Sequence, residues 1–205
     1  GDIKKSFEER LELTGYKLED LPEKGEAAPH NNGPFVEKKY EQTGFATKTG
    51  KVEFKSTILE DHGYDGLPTY KEPYWSPISA PEIAAEYPFI FTTGGRSKNY
   101  QHSQGRKLKM LRAIEPYPVM QINPADATSL GVKTDDWLRA SSPRGEIEIR
   151  ALVSDIVMPG VVHAPHGWEE APVNYLMPDE ALCEITGFPG FKSSLCKVEK
   201  IIPKE

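Results

Sequence analysis

Short apolar stretches, each ended by glycine, proline or a polar turn, dominate the second half of the chain. The clearest stretch is EIEIRALV at 146–153, where Ile147, Ile149 and Ala151 share one face and glutamates share the other. This alternation with a period of two predicts a strand with one buried face. Strands this short bury enough apolar surface only when several of them form one sheet or barrel around a common core.

Six such strands are predicted, over 88–93, 119–122, 137–141, 146–153, 161–164 and 195–202. Two short helices are predicted between them, one over 106–113 and one over 124–130. Asn123, Pro124 and Gly131 suit the cap, first turn and end of the second helix. Strands and helices do not alternate regularly, so the fold class is mainly β (α+β), and a closed β-barrel with inserted helices fits best.

The first part of the chain is weakly patterned, and we place the main boundary near Glu86. Residues 1–85 are predicted to belong to a preceding domain, and residues 86–205 to form the barrel. The predicted elements of the first part are a helix over 2–14, an acidic connection over 17–34, a hairpin over 45–54, helical turns over 57–62 and an extended four-proline linker over 66–82.

Composition argues against several functional classes. A formal net charge of -6 and a pI near 5.5 disfavour nucleic acid as a partner. The sequence contains no apolar run of membrane-spanning length and no secretory signal, and the compartment, cytoplasmic or periplasmic, stays open. Cys183 and Cys196 lack metal-ligand spacing, and we interpret them as reduced core residues. Because the chain starts at Gly1, we expect it to be part of a longer protein.

One segment opposes the acidic total. Between Tyr87 and Ile114 the sequence has six Lys and Arg and no Asp or Glu. The double glycine Gly94–Gly95 ends a strand there, and exposed N–H groups at such a turn can bind an anion. Arg96 and Lys98 add cations, and Tyr100 and His102 add flat faces with hydrogen-bonding groups. The alternative interpretation, a solvated basic surface loop, remains open at this point.

Several stretches together resemble the C-terminal domain of the molybdopterin oxidoreductases (the dimethyl sulfoxide reductase family, with formate dehydrogenases, thiosulfate reductases and acetylene hydratase). They are YPFIFTTGGRSKNYQHSQ, QINPADATSLGVKTDDWLRASSPRGEIEIRALV, MPGVVHAPHGW, VNYL and GFPGFKSSLCKV, and FATKTGKVEF resembles the segment just before this domain. The resemblance covers about 36–200. It implies a six-stranded double-psi β-barrel that binds one molybdopterin guanine dinucleotide, with molybdenum or tungsten held mainly by the rest of the parent enzyme.

By position, the resemblance implies that the segment from Gly94 to Ser103 wraps the pterin and the pyrophosphate, with Thr93 at its start. It also implies that Asn174 of NYL and Lys192 of FKSS contact the cofactor. Within the segment, the candidate contacts are Gly94, Gly95, Arg96, Ser97, Lys98, Tyr100, His102 and Ser103.

Three further candidates have competing structural roles. Asn123 is mainly a helix cap, Ser142 lies in a turn that approaches the dinucleotide in one interpretation, and His166 lines either the cofactor funnel or the core. For the cofactor assignment, we expect Asn174 and Lys192 to converge with the turn Gly94–Ser103 at one end of the barrel. Should they lie at opposite ends, the cofactor assignment fails.

We therefore interpret the chain as the C-terminal part of a molybdenum or tungsten oxidoreductase. Neither cysteine lies in a matching metal-ligand context, so we expect no metal ligand, no catalytic residue and no turnover from the isolated chain. The expected partners are the other domains or subunits of the parent enzyme, including an iron–sulfur domain. The alternative is a double-psi barrel that serves as a protein-binding module without cofactor.

Overall fold

The computed structural model describes residues 2–21 and 36–202. The chain divides into two compact units, the first ending at Thr69 and the second beginning at Tyr70. Most of the predicted acidic connection over 17–34 lies outside the described residues. In the described part of the chain, no helix combines the length and the apolar character that crossing a membrane requires.

Six strands of the second unit close into a barrel. They are β1 (Phe89–Thr92), β2 (Val119–Ile122), β3 (Trp137–Ser142), β4 (Gly145–Val153), β5 (Val161–His163) and β6 (Ser194–Ile201). Their order around the barrel is β1-β5-β2-β4-β3-β6, with β6 pairing back to β1. The pairs β1–β5 and β2–β4 are parallel and the other four are antiparallel. The predicted six-stranded barrel is confirmed.

Alternating side chains fill the barrel interior. In β3, Leu138 and Ala140 are fully buried, and in β4 the buried residues Ile147 and Ile149 follow the same rule. The other strands contribute the buried side chains of Phe91, Met120, Ile122, Val162 and Val198 to the same core. Because every strand has two neighbours, the barrel leaves no strand edge unpaired.

The helix α6 (Pro124–Leu130) follows β2 with the predicted caps. Asn123 Oδ1 accepts a hydrogen bond from the Ala125 N–H at 3.0 Å, and Gly131 ends the helix in the left-handed conformation at φ 63°. Asp126, in the first turn, accepts from the Gly160 N–H at 2.7 Å. This contact ties α6 to the turn that precedes β5.

Two other α-helices and a 3₁₀ helix (Val173–Leu176) belong to the second unit. The helix α4 (Pro81–Glu86) precedes β1, and α5 (Lys109–Ile114) lies between β1 and β2. The sequence predicts a start at residue 106 for the latter helix, three residues too early. The side chain of Arg106 is buried among aromatic rings, and this holds residues 106–108 in a loop.

The first unit is helical and loosely packed. Its elements are α1 (Ile3–Glu12), a 3₁₀ helix (Leu18–Asp20), α2 (Lys39–Thr43) and α3 (Thr57–Asp61). The predicted hairpin over 45–54 is wrong, because this segment forms turns and no strand. A two-stranded ribbon needs an apolar surface to pack on, yet the side chains of Val52 and Phe54 are 58% and 92% exposed.

The compact unit of the barrel starts before its first strand. Trp75 and Ala80 are buried against Leu195 of β6, together with Ile83 and Tyr87. The segment 70–86, which the sequence assigns to a linker of the preceding domain, therefore packs on the barrel wall within this unit. Its prolines interrupt regular structure without preventing the burial of single side chains between them.

Trp75→Ala should destabilise the barrel unit, because it removes the largest side chain of this contact. We expect the free energy of unfolding to fall by about 3–5 kcal/mol. Ile78→Ala is the matched control, since Ile78 is 78% exposed and such changes stay within about 0.5 kcal/mol. Chemical denaturation of the two variants compares them. Equal stabilities would show that the segment is not part of the folded unit.

Candidate functional site

Three chain segments meet at one end of the barrel because of the strand register. β1 and β5 are parallel, with Thr92 opposite His163, so both strands end there. β6 is antiparallel to β1 and starts there, with Ser194 opposite Phe91. The residues after β1, after β5 and before β6 are thus neighbours, although they are far apart in the sequence.

A groove of about 830 Å³ opens at this end. We call it the aromatic groove, and its lining comprises Pro73, Tyr74, Thr93, Gly94, Arg96, His102, His166, Gly167, Asn174, Ala181, Phe188, Pro189, Gly190, Phe191, Lys192 and Ser193. The rings of Phe188 and Phe191 meet edge to face, with centroids 5.7 Å apart. Rings in this arrangement offer apolar surface to a flat ligand.

A second groove, of about 740 Å³, lies beside the first. We call it the polar groove, and its lining comprises Thr92, Gly94, Gly95, Arg96, Ser97, Glu115, Val119, Gln121, Ile156, Val157, His163, Pro165 and Lys192. Gly94, Arg96 and Lys192 line both grooves. The backbone after β1 therefore forms the boundary between them.

The electrostatic character of this boundary is positive. Arg96 and Lys192 are exposed, and neither has an ion-pair partner among residues 2–21 and 36–202. Of the described residues that line the two grooves, only Glu115 is acidic. Its Oε2 accepts from Ser97 Oγ at 2.5 Å and from Asn99 Nδ2 at 3.2 Å. Two unpaired cations at a shared boundary suit an anion that extends from one groove to the other.

Two polar side chains of the aromatic groove are also without partners. Thr93 is 1% exposed, and its Oγ1 has no hydrogen-bond partner in the described part of the chain. The side chain of Asn174, which offers one donor and one acceptor, likewise makes no hydrogen bond to any described residue. A buried hydroxyl without a partner is costly, so a polar ligand group or a water is the expected partner of Thr93.

The two glycines after β1 have different local surroundings. Neither adopts a positive φ. A Cβ at residue 95 would lie 2.6 Å from His163 Nε2, so the close approach of this ring requires glycine there. A Cβ at residue 94 would meet nothing closer than 3.7 Å. The protein's own packing therefore does not require glycine at residue 94.

His102 and His166 form a pair in the aromatic groove. His102 Nδ1 lies 2.8 Å from His166 Nε2, and His166 Nδ1 lies 3.2 Å from the Thr93 carbonyl oxygen. Gly167 has φ +82°, and a Cβ there would lie 2.8 Å from the carbonyl carbon of His102. His102 itself has φ 54°. The glycine at residue 167 thus permits the close approach of its backbone to that of His102.

The buried side chain of Arg106 contacts the backbone of the His102–His166 pair. Its guanidinium carbon lies 3.6 Å from the ring centre of Trp168 and 4.4 Å from that of Tyr100, an arrangement that favours a cation. Arg106 Nη2 donates to the His166 carbonyl oxygen at 3.2 Å. Burial lowers the pKa of Arg106, an effect that the nearby Glu115 carboxylate opposes. Trp168, 2% exposed, is therefore a packing residue.

The structure brings most of the sequence candidates to the two grooves. These are Thr93, Gly94, Gly95, Arg96, Ser97, His102, His166, Asn174 and Lys192. The expected convergence of the glycine turn with Asn174 and Lys192 is confirmed. Cofactor contacts by these side chains remain a prediction.

Five candidates lie outside both grooves. Tyr100 is buried under Arg106, and its hydroxyl donates to the Glu115 carbonyl oxygen. Asn123 caps α6 and donates to the Val157 carbonyl oxygen, so both ends of its amide are used. Ser142 is buried, and its Oγ accepts from the Arg144 N–H. Lys98 is exposed and lines neither groove. Ser103 lines a different depression.

That depression, of about 1090 Å³, lies between α5 and residues 167–170. Arg112 in its wall forms an ion pair with Glu170, so the depression is less cationic than its lysines suggest. Among the residues that the structure describes, no group of three or more His, Cys, Asp or Glu side chains is arranged to hold a metal ion.

Sequence reasoning missed His163, Gln121, Tyr74, Phe188 and Phe191, which all line the grooves. A signal was present for Gln121, which is polar between the fully buried Met120 and Ile122. Tyr74 was assigned to the linker and therefore not considered. The two phenylalanines lie in an irregular loop without periodicity, where no local pattern indicates which surface they face.

Gly95→Ala should destabilise the protein, whereas Gly94→Ala should be tolerated. The methyl group at residue 95 meets the His163 ring, and overpacking of this kind costs about 1–3 kcal/mol. The methyl group at residue 94 makes only ordinary contacts. Thermal and urea unfolding of both variants measure the difference. If Gly95→Ala is as stable as Gly94→Ala, the close approach to His163 is wrong.

Stability should fall with decreasing pH because of His163. Burial lowers the pKa of His163 below its ordinary 6.5, and the nearby Gly95 backbone opposes this shift only in part. The unfolded chain then binds the proton at a higher pH than the folded chain. The free energy of unfolding should therefore decrease as pH falls below about 6.5. The free energy of unfolding, measured from pH 7.5 to pH 5, should decrease less steeply for His163→Gln than for the wild-type protein. Parallel curves would contradict this role of His163.

Comparison with known proteins identifies the family of this barrel. Residues 89–195 match the family described as Molydopterin dinucleotide binding domain. Acetylene hydratase of Syntrophotalea acetylenica is 34% identical over 172 residues, covering 78% of this chain and 23% of that protein. Dopamine dehydroxylase of Eggerthella lenta is 33% identical over 177 residues, covering 78% of this chain and 17% of that protein.

The fold comparison agrees with the sequence comparison. The solved structure of acetylene hydratase from Pelobacter acetylenicus matches with a TM-score of 0.70 and 30% identity, covering 78% of this chain and 24% of that chain. The chain thus spans about a quarter or less of the length of these proteins. It belongs to the molybdopterin dinucleotide-binding domain family of the molybdopterin oxidoreductases.

Proposed function

We propose that this chain binds one molybdopterin guanine dinucleotide at the end of the barrel where β1 ends. The observation that carries the proposal is the pair of adjacent grooves with the unpaired cations Arg96 and Lys192 at their shared boundary. A dinucleotide has the same arrangement of parts, because two ring systems extend from one central pyrophosphate.

The pyrophosphate is assigned to the boundary between the grooves. Arg96 offers a planar group that can bind two phosphate oxygens, and Lys192 offers a second positive charge. Gly94 lies between them with no side chain to hinder a ligand on the backbone. A ligand lying on this backbone gives residue 94 the reason for glycine that packing within the protein does not supply.

The ring systems are assigned to the two grooves. The aromatic groove combines Phe188 and Phe191 with the unpartnered Thr93 hydroxyl and Asn174 amide. Apolar walls with a few unpartnered polar groups are typical of sites for heteroaromatic ligands. These residues fit the chemistry of a pterin edge, whose ring nitrogens and carbonyl need both donors and acceptors.

This assignment gives the cofactor, this chain and the rest of the parent enzyme different roles. The bound cofactor supplies a redox-active metal held by pterin dithiolenes. This chain binds and orients the cofactor, places positive charge beside its phosphates and keeps solvent from the buried wall formed by Thr93. We propose that the metal ligand, the second pterin site and an iron–sulfur domain belong to the remainder of the parent protein, and that the isolated chain is not catalytic.

The alternative function is a barrel that binds another protein without cofactor. Leu182, Ile185 and Phe188 are at least half exposed and give it some support. Such a module has no need for two unpaired cations beside a backbone free of side chains, and the family relationship favours the cofactor.

Lys192→Ala in the full-length oxidoreductase should weaken cofactor retention. Loss of one charge-assisted hydrogen bond costs roughly 1.5–3 kcal/mol, which corresponds to a dissociation faster by about 10- to 150-fold. Lys98→Ala is the matched control, because Lys98 lies in the same loop and lines neither groove. Released dinucleotide, measured over time by its pterin fluorescence after oxidation, reports retention.

Two results would contradict the proposal. In the first, Lys192→Ala and wild-type protein release cofactor at equal rates. In the second, Lys98→Ala has the larger effect, which would move the phosphate site away from the groove boundary. Thermal unfolding of the apo-proteins checks that neither variant acts by unfolding the barrel.

A further inference from the structure

The histidine pair of the aromatic groove has a hydrogen-bonding pattern with a single solution when both rings are neutral. A carbonyl oxygen only accepts, so the 3.2 Å contact with Thr93 O requires a proton on His166 Nδ1. The other nitrogen of neutral His166 is then an acceptor. At 2.8 Å from it, His102 Nδ1 must be the donor. His102 Nε2 consequently carries no proton.

One added proton changes His102 Nε2 from a hydrogen-bond acceptor into a donor. If the charge resides on His102, its Nε2 becomes an N–H. If the charge resides on His166, its Nε2 donates to His102 Nδ1, and the proton of neutral His102 moves to Nε2. A second proton would force two N–H groups to face each other across 2.8 Å. The pair therefore accepts one proton and excludes the next.

Nearby positive charges also oppose a second proton on the histidine pair. Arg96 and Lys192 share the groove with His102, Arg106 donates to the His166 carbonyl, and the His163 ring lies close enough to interact with His166. Within the described residues, no carboxylate lines the aromatic groove. Each of these groups opposes a second positive charge on the pair.

The backbone holds the pair in place. His102 has φ 54°, a left-handed conformation that is uncommon for residues other than glycine. Gly167, at φ +82°, lets the two loops approach to a distance that any side chain at that position would prevent. Arg106 fixes the carbonyl of His166 at 3.2 Å. The facing nitrogens are thus positioned before any ligand arrives.

We propose that His102 and His166 act as one unit that carries a single exchangeable proton and presents the unprotonated His102 Nε2 to an N–H group on the edge of a heteroaromatic ligand. This inference rests on the proposed function for the identity of that ligand, a pterin. Arg96 and Lys192 supply donors to the groove, so an acceptor is the complementary group that a ring N–H needs. His102 Nε2 has no partner among the described residues.

Nitrogen NMR of the isolated chain tests the pair without any cofactor. At pH 8, His102 should carry its proton on Nδ1 and leave Nε2 unprotonated. On acidification, the two rings together should take up only one proton while the hydrogen bond between them persists. His166→Phe should abolish the Nδ1–H preference of His102, and the exposed His62 ring in the first unit serves as an internal reference.

An Nε2–H on neutral His102, or uptake of two protons by the pair, would overturn the inference. The wild-type spectra decide this even if His166→Phe fails to fold. Failure here leaves the proposed function intact, since that depends on the Lys192 experiment.

Cofactor retention in the full-length oxidoreductase tests the ligand contact. Protonation removes the acceptor, so dissociation should be about five- to tenfold faster from the protonated pair than from the neutral pair, as expected for the loss of one hydrogen bond. His102→Asn removes the titration, and asparagine tolerates a positive φ. In this variant the dissociation rate should change little with pH. The same pH dependence in wild type and His102→Asn would overturn the contact.

Discussion

The pairing of β1 with both β5 and β6 determines where everything else can lie at the end of the barrel that bears the aromatic and polar grooves. β1 lies beside one parallel and one antiparallel neighbour, so its last residue meets the end of one strand and the start of another. Closure of the barrel leaves no strand free to shift, since a shift of one residue would turn buried side chains outward. The Gly94 turn, the loop with His166 and the residue Lys192 are held together by this register, although they come from distant parts of the sequence.

Polar groups without partners are concentrated at the same end. Of the seven buried side-chain atoms that lack a hydrogen bond among the described residues, six belong to Thr93, Arg106, His163 and Trp168. Proteins seldom leave such groups unsatisfied, because each one costs free energy. Here they surround the loop after β1, whereas the barrel interior is apolar. Hydrogen bonding within the described residues is therefore least complete at the end of the barrel that bears the two grooves.

Local patterns predicted local structure well. The caps of α6 and the alternation in β4 each depend on a few neighbouring residues, and both are found as expected. The convergence of Gly94 with Lys192 depends on pairing across about a hundred residues, and it was expected from family resemblance alone. Tyr100 shows why single side chains are harder to assign. Its ring is as suitable for a ligand as for Arg106, and only the packing around Trp168 decides between them.

The contact between Trp75 and Leu195 has a consequence for how such domains are exchanged between proteins during evolution. A recombination point placed directly before β1 would separate the barrel from the residues that cover one of its walls. The new host would then have to provide a fitting aromatic side chain at that place. A recombination point near Tyr70 would transfer the barrel together with the residues that cover its wall. The unit that can be inherited as a whole is thus longer at its amino-terminal side than the strands alone suggest.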